Sequence, residues 1–229
     1  MAPDALSDRL ELVRAEVASA ARDAGRSVDD IVTIVITKFH PASLVRALAE
    51  LGVRDVGENR NQDAAPKAAE LASLDLTWHF VGQLQSNKVR AVLAYARDIQ
   101  SVDRLALVDA IAAAQTTAAA PVDAFIQLNL TEDPARGGVA PSALDELVER
   151  VLAEPSIRLR GLMAVAPLDE EPRRAFARVR GTSERIRTLA PHATAMSMGM
   201  SADFREAILE GATHLRIGTA ITGKRPSAG

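Results

Sequence analysis

Ile31-Val32-Thr33-Ile34-Val35-Ile36-Thr37-Lys38-Phe39-His40-Pro41 is the stretch that decides how this chain folds. Seven β-branched residues in a row read as a buried strand. A lysine closes the run, and a helical pattern follows over 42–51. The turn between them has no glycine. An open doubly wound sheet binds its ligand through a glycine-rich first turn, so this turn favours the other βα architecture, a closed barrel.

The same alternation continues outward from that unit. Strand-like runs fall near 31–37, 53–57, 77–82, 98–102, 122–130, 157–165, 193–199 and 214–218. Helical stretches fit between them at 42–51, 60–73, 85–96, 104–118, 141–153, 170–190 and 202–211. An opening helix is predicted over 4–24, where Leu6, Leu10, Val13 and Val17 keep helical spacing, with Ser or Asp as its N-cap and Gly25 as its stop. Eight strands alternating with helices imply parallel pairing. The predicted class is therefore α/β, a single (β/α)8 TIM barrel with an extra N-terminal helix, one domain over residues 1–229. The low-complexity run Ala112–Ala120 reads as helix filler, and the tail from Lys224 to Gly229 as frayed.

Composition narrows the function classes. With 48% hydrophobic residues, the 229-residue chain can fill a large core. Its 27 basic and 30 acidic residues give a net charge of -3, and aromatics make up only 3%, so no basic stripe with stacking rings points to nucleic acid. The arginines at 173, 174, 178, 180, 185 and 187 are accompanied by Glu170, Glu171 and Glu184, as on a solvated helix face. Cysteine is absent, which removes disulfides, thiolate metal sites and a cysteine nucleophile. The N-terminus lacks signal-peptide order, and no apolar run nears the roughly 20 residues that cross a bilayer, so a cytoplasmic location without membrane attachment is expected.

In a βα barrel the residues just past each strand meet at one mouth. Here they are Lys38, then Glu58 and Asn59, His79 with Gly82, Ser101 and Asp103, Asn129, Met163, Ser197 to Ser201, and Arg216 with Gly218 and Thr219. A lysine past a buried strand is expected to be partly desolvated, which lowers its pKa from roughly 10.4 and makes a neutral amine, a nucleophile for aldehydes; the plainer reading is a lysine snorkelling at a strand end. Ser201 stands where an N-cap would face an anion, and Gly218 lets backbone amides approach a phosphate. Lysine and phosphate clamp in one mouth suggest pyridoxal 5'-phosphate (PLP), a phosphorylated aldehyde. Arg216 would then face the pyridine nitrogen and weaken the electron sink; its alternative is an ion pair with a carboxylate such as Glu58.

These residues resemble the pyridoxal phosphate homeostasis proteins, a family related to the barrel half of alanine racemases. The matching segments are Thr37-Lys38, Gly57-Glu58-Asn59, Trp78 through Lys88, Ser101-Val102-Asp103, Gly161-Leu162-Met163-Ala164, Ser197 through Phe204, and Arg216 through Gly223. The resemblance implies PLP joined to Lys38 as an aldimine, its phosphate held by Ser201, Gly218 and Thr219, Arg216 near the pyridine nitrogen, and Asn59 and His79 lining the pocket. It implies a carrier or regulator of vitamin B6 and amino-acid pools, with no catalytic residue assigned and apo PLP-dependent enzymes as partners; a monomer is expected. Three positions depart from the family's usual residues: Arg60-Asn61 after Gly-Glu-Asn, Gln83, and Phe39-His40-Pro41.

The alternative activity is a PLP-dependent racemase of low activity. Racemization uses two bases, commonly the lysine and a tyrosine, and the sole tyrosine, Tyr95, is expected mid-helix before the fourth strand. Because the sequence ends just after the expected eighth strand, the second domain that completes a racemase site is expected to be missing. A metal-dependent hydrolase is disfavoured: His40, His79, His192 and His214 form no His-x-His or His-x-x-x-His pair, so no metal site is expected.

Overall fold

The computed structural model describes residues 5–115 and 120–224. Eight parallel strands close a barrel in chain order: β1 Val32–Ile36, β2 Asp55–Glu58, β3 Thr77–Phe80, β4 Asp98–Val102, β5 Val122–Gln127, β6 Ile157–Met163, β7 Ala195–Ser197 and β8 His214–Ile217. The ring shuts where β8 pairs with β1, Arg216 opposite Ile34 and Ile217 opposite Val35. Around it lie α1 Leu6–Asp23, α2 Ala42–Glu50, α3 Asn61–Glu70, α4 Val89–Leu93, α5 Leu105–Ala114, α6 Leu144–Leu152, α7 Pro172–Ile186, α8 Phe204–Leu209 and α9 Thr219–Thr222.

Each expected strand is present and most are shorter than expected; β4 keeps its expected bounds, and β2 runs 55–58 rather than 53–57. The run at 193–199 ends at Ser197 because Gly199 adopts φ +92°, where a Cβ would lie 2.6 Å from that of Ala207. The stretch at 85–96 divides into a 3-10 turn, Ser86–Lys88, and the short α4, which leaves Tyr95 in the turn after the helix rather than within it. The helix expected to 118 is helical to Ala114; residues 116–119 and the tail beyond 224 lie outside the described residues. The four-residue α9 was too short to show a period.

α1 ends as its sequence implies. Gly25 takes φ +66°, and the Arg26 amide reaches back to the Ala21 carbonyl at 2.9 Å, a Schellman closure. Its start differs: the N-cap is Ala5 with no side-chain bond, while Ser7 and Asp8 lie inside the helix, where Asp8 still favours the positive end of its dipole. The apolar face, Leu10, Val13, Val17, Ala20 and Ala21, is buried, and α1 packs on α8 and α9. The Arg9 guanidinium ties it to the Ile221 carbonyl at 2.7 Å.

Register sorts the inner face of the barrel. Ile36 pairs with Gly57, Gly57 with His79, His79 with Asp98, and Ser197 with His214. Residues two apart share a face, so Ile34, Asp55, His79, Asp98, Ser197, His214 and Arg216 all point inward. A small apolar cluster of Phe125, Met163 and Ala195 fills part of that space, separate from the larger core under the helices.

Candidate functional site

Thr37, the residue before Lys38, is held at three points, the first being its amide on the Gly57 carbonyl at 3.0 Å. Its hydroxyl donates to Glu58 Oε1 at 2.8 Å, and Lys67 Nζ donates both to the Thr37 carbonyl at 3.1 Å and to the same Glu58 oxygen at 2.6 Å. The Glu58 side chain is 1% exposed and that of Lys67 11%, so this is a buried ion pair locking the end of β1 to β2 and α3. It also removes Glu58 as a partner for Arg216.

Lys38 is exposed, and the expected partial burial stops at Thr37. Phe39 follows with φ +70°, the left-handed region, which costs a bulky L-residue of order 1–2 kcal/mol. Two cations lie within reach of its ring, the Lys38 amine at 5.9 Å and the Arg60 guanidinium at 5.7 Å. The His40 imidazole next to it is held below its usual pKa, by burial first and then by the charge on Lys67.

Arg216 enters the barrel from β8 and is 5% exposed. It donates through Nη1 to Ser197 Oγ at 2.8 Å and through Nη2 to the Ala164 carbonyl at 2.8 Å. Burial pulls its pKa down to about 10, against the charge of Asp203. The Asp203 carboxyl is itself raised by burial, an effect that the Met200 amide and the Arg216 charge oppose.

From Ser197 the polar contacts run on across the barrel. Ser197 Oγ donates to Gln100 Oε1 at 2.5 Å, and Gln100 Nε2 lies 3.2 Å from His79 Nδ1. His79 is 3% exposed, and its ring also meets Asp55 at 2.9 Å and Asp98 at 3.1 Å. Burial alone would lower its pKa; the two carboxylates outweigh it and hold the ring at about 9. Both ring nitrogens therefore face protein partners. In register His79 stands beside Gly57, two residues below Asn59, so it lies under the mouth rather than on its rim.

Ser201 does not cap α8. Asp203 takes that position and receives the Met200 amide at 2.5 Å. Ser201 Oγ instead accepts the amides of Gly218 and Ala220, each at 3.3 Å, and so joins the loop after β7 to the start of α9, where Thr219 is exposed. Two backbone donors and a hydroxyl thus converge on one point. That donor set suits an anion such as a phosphate, which can take the amides from the serine.

The opposite wall is a cavity of about 510 Å³ between the loops after β2 and β3, lined by Asn59, Arg60, Gln83 and Lys88 among others. Asn59 Oδ1 is buried there without a protein partner. Gly82 crosses the Asn59 carbonyl so closely that a Cβ would lie 2.2 Å from the oxygen. Ser101 fixes this loop by donating to the Gly82 carbonyl at 2.5 Å, and Asp103 pairs with Arg104 at 2.5 Å. Asn129 is spent on its own loop, bonded to Thr131 and to the Asp133 carbonyl.

The structure thus brings Lys38, Asn59, Ser201, Arg216, Gly218 and Thr219 to the same end of the barrel. The sequence reading missed Gln100, the pairing of Glu58 with Lys67, and Asp203. Gln100 left a trace: it is polar in a strand, Asp98-Ile99-Gln100-Ser101-Val102, that is buried throughout. The arginines of α7 pair with carboxylates, Arg173 and Arg180 with Glu210 at 2.8 and 3.1 Å and Arg185 with Asp145 at 2.6 Å. Among the described residues no helix is long and apolar enough to cross a membrane, and no cluster of three or more His, Asp or Glu could hold a metal.

Residues 33–226 match the family model of the alanine racemase N-terminal domain. Proteins named pyridoxal phosphate homeostasis protein are similar over nearly their whole length: that of Mycobacterium leprae is 40% identical, with 95% of this chain and 92% of the relative covered, and that of Pseudomonas aeruginosa 39%, with 96% of each. Among solved structures, PipY of Synechococcus elongatus with PLP bound superposes with a TM-score of 0.84 at 32% identity, covering 96% of this chain and 100% of PipY. Alanine racemase of Corynebacterium glutamicum shares the fold at a TM-score of 0.71 and 16% identity; 96% of this chain covers 62% of the racemase.

Proposed function

The chain belongs to the family of pyridoxal phosphate homeostasis proteins, built on the alanine racemase N-terminal domain, and from that premise we propose that its barrel is one PLP-binding domain that carries the cofactor through Lys38. The observation that carries the reading is the convergence of an accessible lysine, two amides with a serine hydroxyl, and a buried arginine at one barrel end. When bound, PLP supplies an aldehyde that bonds reversibly to a primary amine, and a pyridine ring that withdraws electrons.

This chain's own residues do the rest. Lys38 offers the amine, at a backbone position fixed by the clamp on Thr37. Ser201, Gly218 and Thr219 receive the phosphate. Arg216, held by Ser197 and the Ala164 carbonyl, would turn its guanidinium to the ring nitrogen of a bound PLP and discourage protonation there. Asn59, whose Oδ1 is unpartnered at the cavity, would border a bound cofactor, with His79 deeper in the barrel. We assign the protein to delivering and buffering PLP for apo-enzymes, as a monomer in the cytoplasm, rather than to turnover. A weak racemase would need a second base; the Tyr95 hydroxyl is buried without a hydrogen-bond partner, its pKa raised by burial and by Glu58, and its ring packs edge-on against Trp78.

The test is the visible absorption spectrum of the purified protein beside Lys38→Ala, before and after borohydride. A band in wild type that reduction fixes to Lys38 is expected. A wild type that stays colourless with added PLP would sink the assignment. Racemization abolished by Lys38→Ala would overturn the ranking of carrier over enzyme.

A further inference from the structure

Arg216 does not stand alone in the barrel. Its acceptor Ser197 Oγ has its own proton directed to Gln100 Oε1, and the other end of that carboxamide meets His79 Nδ1. The chain runs Arg216, Ser197, Gln100, His79 and crosses from β8 through β7 and β4 to β3, with each of the four residues 5% exposed or less.

We propose that His79 is a positioning residue for Arg216: through Gln100 and Ser197 it fixes the guanidinium that faces the cofactor's ring nitrogen. This rests on the PLP reading above. Ser197 must keep a lone pair for Arg216, and its proton goes elsewhere only if an acceptor faces it. Gln100 is that acceptor while its NH2 end is turned to His79. A proton on His79 Nδ1, which the ring holds up to about pH 9, favours Asp98 and opposes that NH2, so this orientation of the carboxamide belongs to the neutral imidazole, and protonation turns it and, one link on, changes the polarity of the serine. The charged and titratable groups around the chain are Asp55 of β2, Asp98 of β4 and His214 of β8 near the imidazole, and Asp203 before α8 near the guanidinium.

The test places a substitution at the far end and cuts the chain in the middle. In PLP-loaded protein, His79→Gln is expected to move the pH midpoint of the visible band by about half a unit or more, although His79 has no bond to Arg216. In a Gln100→Met background the same substitution should move nothing further, because coupled residues are not additive. A shift that persists undiminished across the cut would mean through-space electrostatics and overturn the relay; so would a midpoint unmoved by His79→Gln while thermal stability falls. If Gln100→Met does not fold, Ser197→Ala provides the cut. In cofactor-free protein, hydrogen exchange of the Arg216 guanidinium, read by NMR, should quicken by about tenfold in His79→Gln; unchanged exchange would also refute the relay. A wild type with no band would refute PLP binding and with it the role toward the ring nitrogen, and the exchange measurement would then decide only whether His79 positions Arg216.

Discussion

Removing Glu58 or Lys67 tests the clamp that sets Lys38. At 2.6 Å and an effective dielectric of about 20, their attraction is of order 6 kcal/mol, most of it offset by taking two ions out of water. The intact pair therefore adds little, whereas breaking it strands one charge. The two sides are unequal. Lys67 is 11% exposed on a flexible stem and keeps the Thr37 carbonyl, so Glu58→Gln is expected to cost about 2 kcal/mol. Glu58 is 1% exposed, its Oε2 already lacks a partner, and only the Thr37 hydroxyl would remain, so Lys67→Met is expected to cost about 4 kcal/mol. The double variant has no stranded charge and should lose about 3 kcal/mol instead of the sum near 6. Urea denaturation of the four proteins at one pH measures the cycle. A double variant that equals the sum of its singles within about 0.5 kcal/mol would refute the reasoning.

Stability should also be dome-shaped in pH. His79 binds its proton more tightly when folded, so its contribution of about 3 kcal/mol is complete below pH 6.5 and is lost as pH rises through about 9. His214, lowered to about 4 chiefly by burial, has the opposite sign: its contribution is present above pH 6.5 and is lost as pH falls through 4. Denaturant midpoints across pH should show His79→Gln flattening the alkaline limb, and an unchanged limb would contradict the assignment. Gly199→Ala should destabilise by about 3 kcal/mol, because φ +92° and the 2.6 Å approach to Ala207 act together; a neutral result by urea melt would show that the turn can relax. Ser201→Ala should weaken PLP binding about tenfold in equilibrium dialysis while leaving pyridoxal binding little changed. Equal losses for both ligands would remove Ser201 from the phosphate.

The barrel was legible because its signal repeats: eight buried runs at similar spacing leave few closed arrangements. The mouth was legible for a related reason, since residues just past the strands gather whatever their side chains do next. What sequence could not give is pairing inside the mouth. Glu58 was open to Arg216 or to another cation, and the choice fell to Lys67, one helix away, because α3 brings that amine to the end of β1. Lys38 was expected to be partly desolvated by its neighbours in sequence, yet exposure depends on what stands across the mouth, and there the chain is open. Ser201 was read as a cap because it precedes a helix; two residues of extra turn passed that task to Asp203.

The seam between β1 and β8 ties folding to synthesis. β1 leaves the ribosome well before its neighbour His214–Ile217, and α1, which precedes β1, meets α8 and α9 only once they are made. Through most of translation the nascent sheet therefore carries an unpaired β-branched edge, Val32–Ile36, open to any other extended chain. Long-range closure of this kind is slow, which makes β8 the strand that decides whether a growing chain closes on itself or pairs with another.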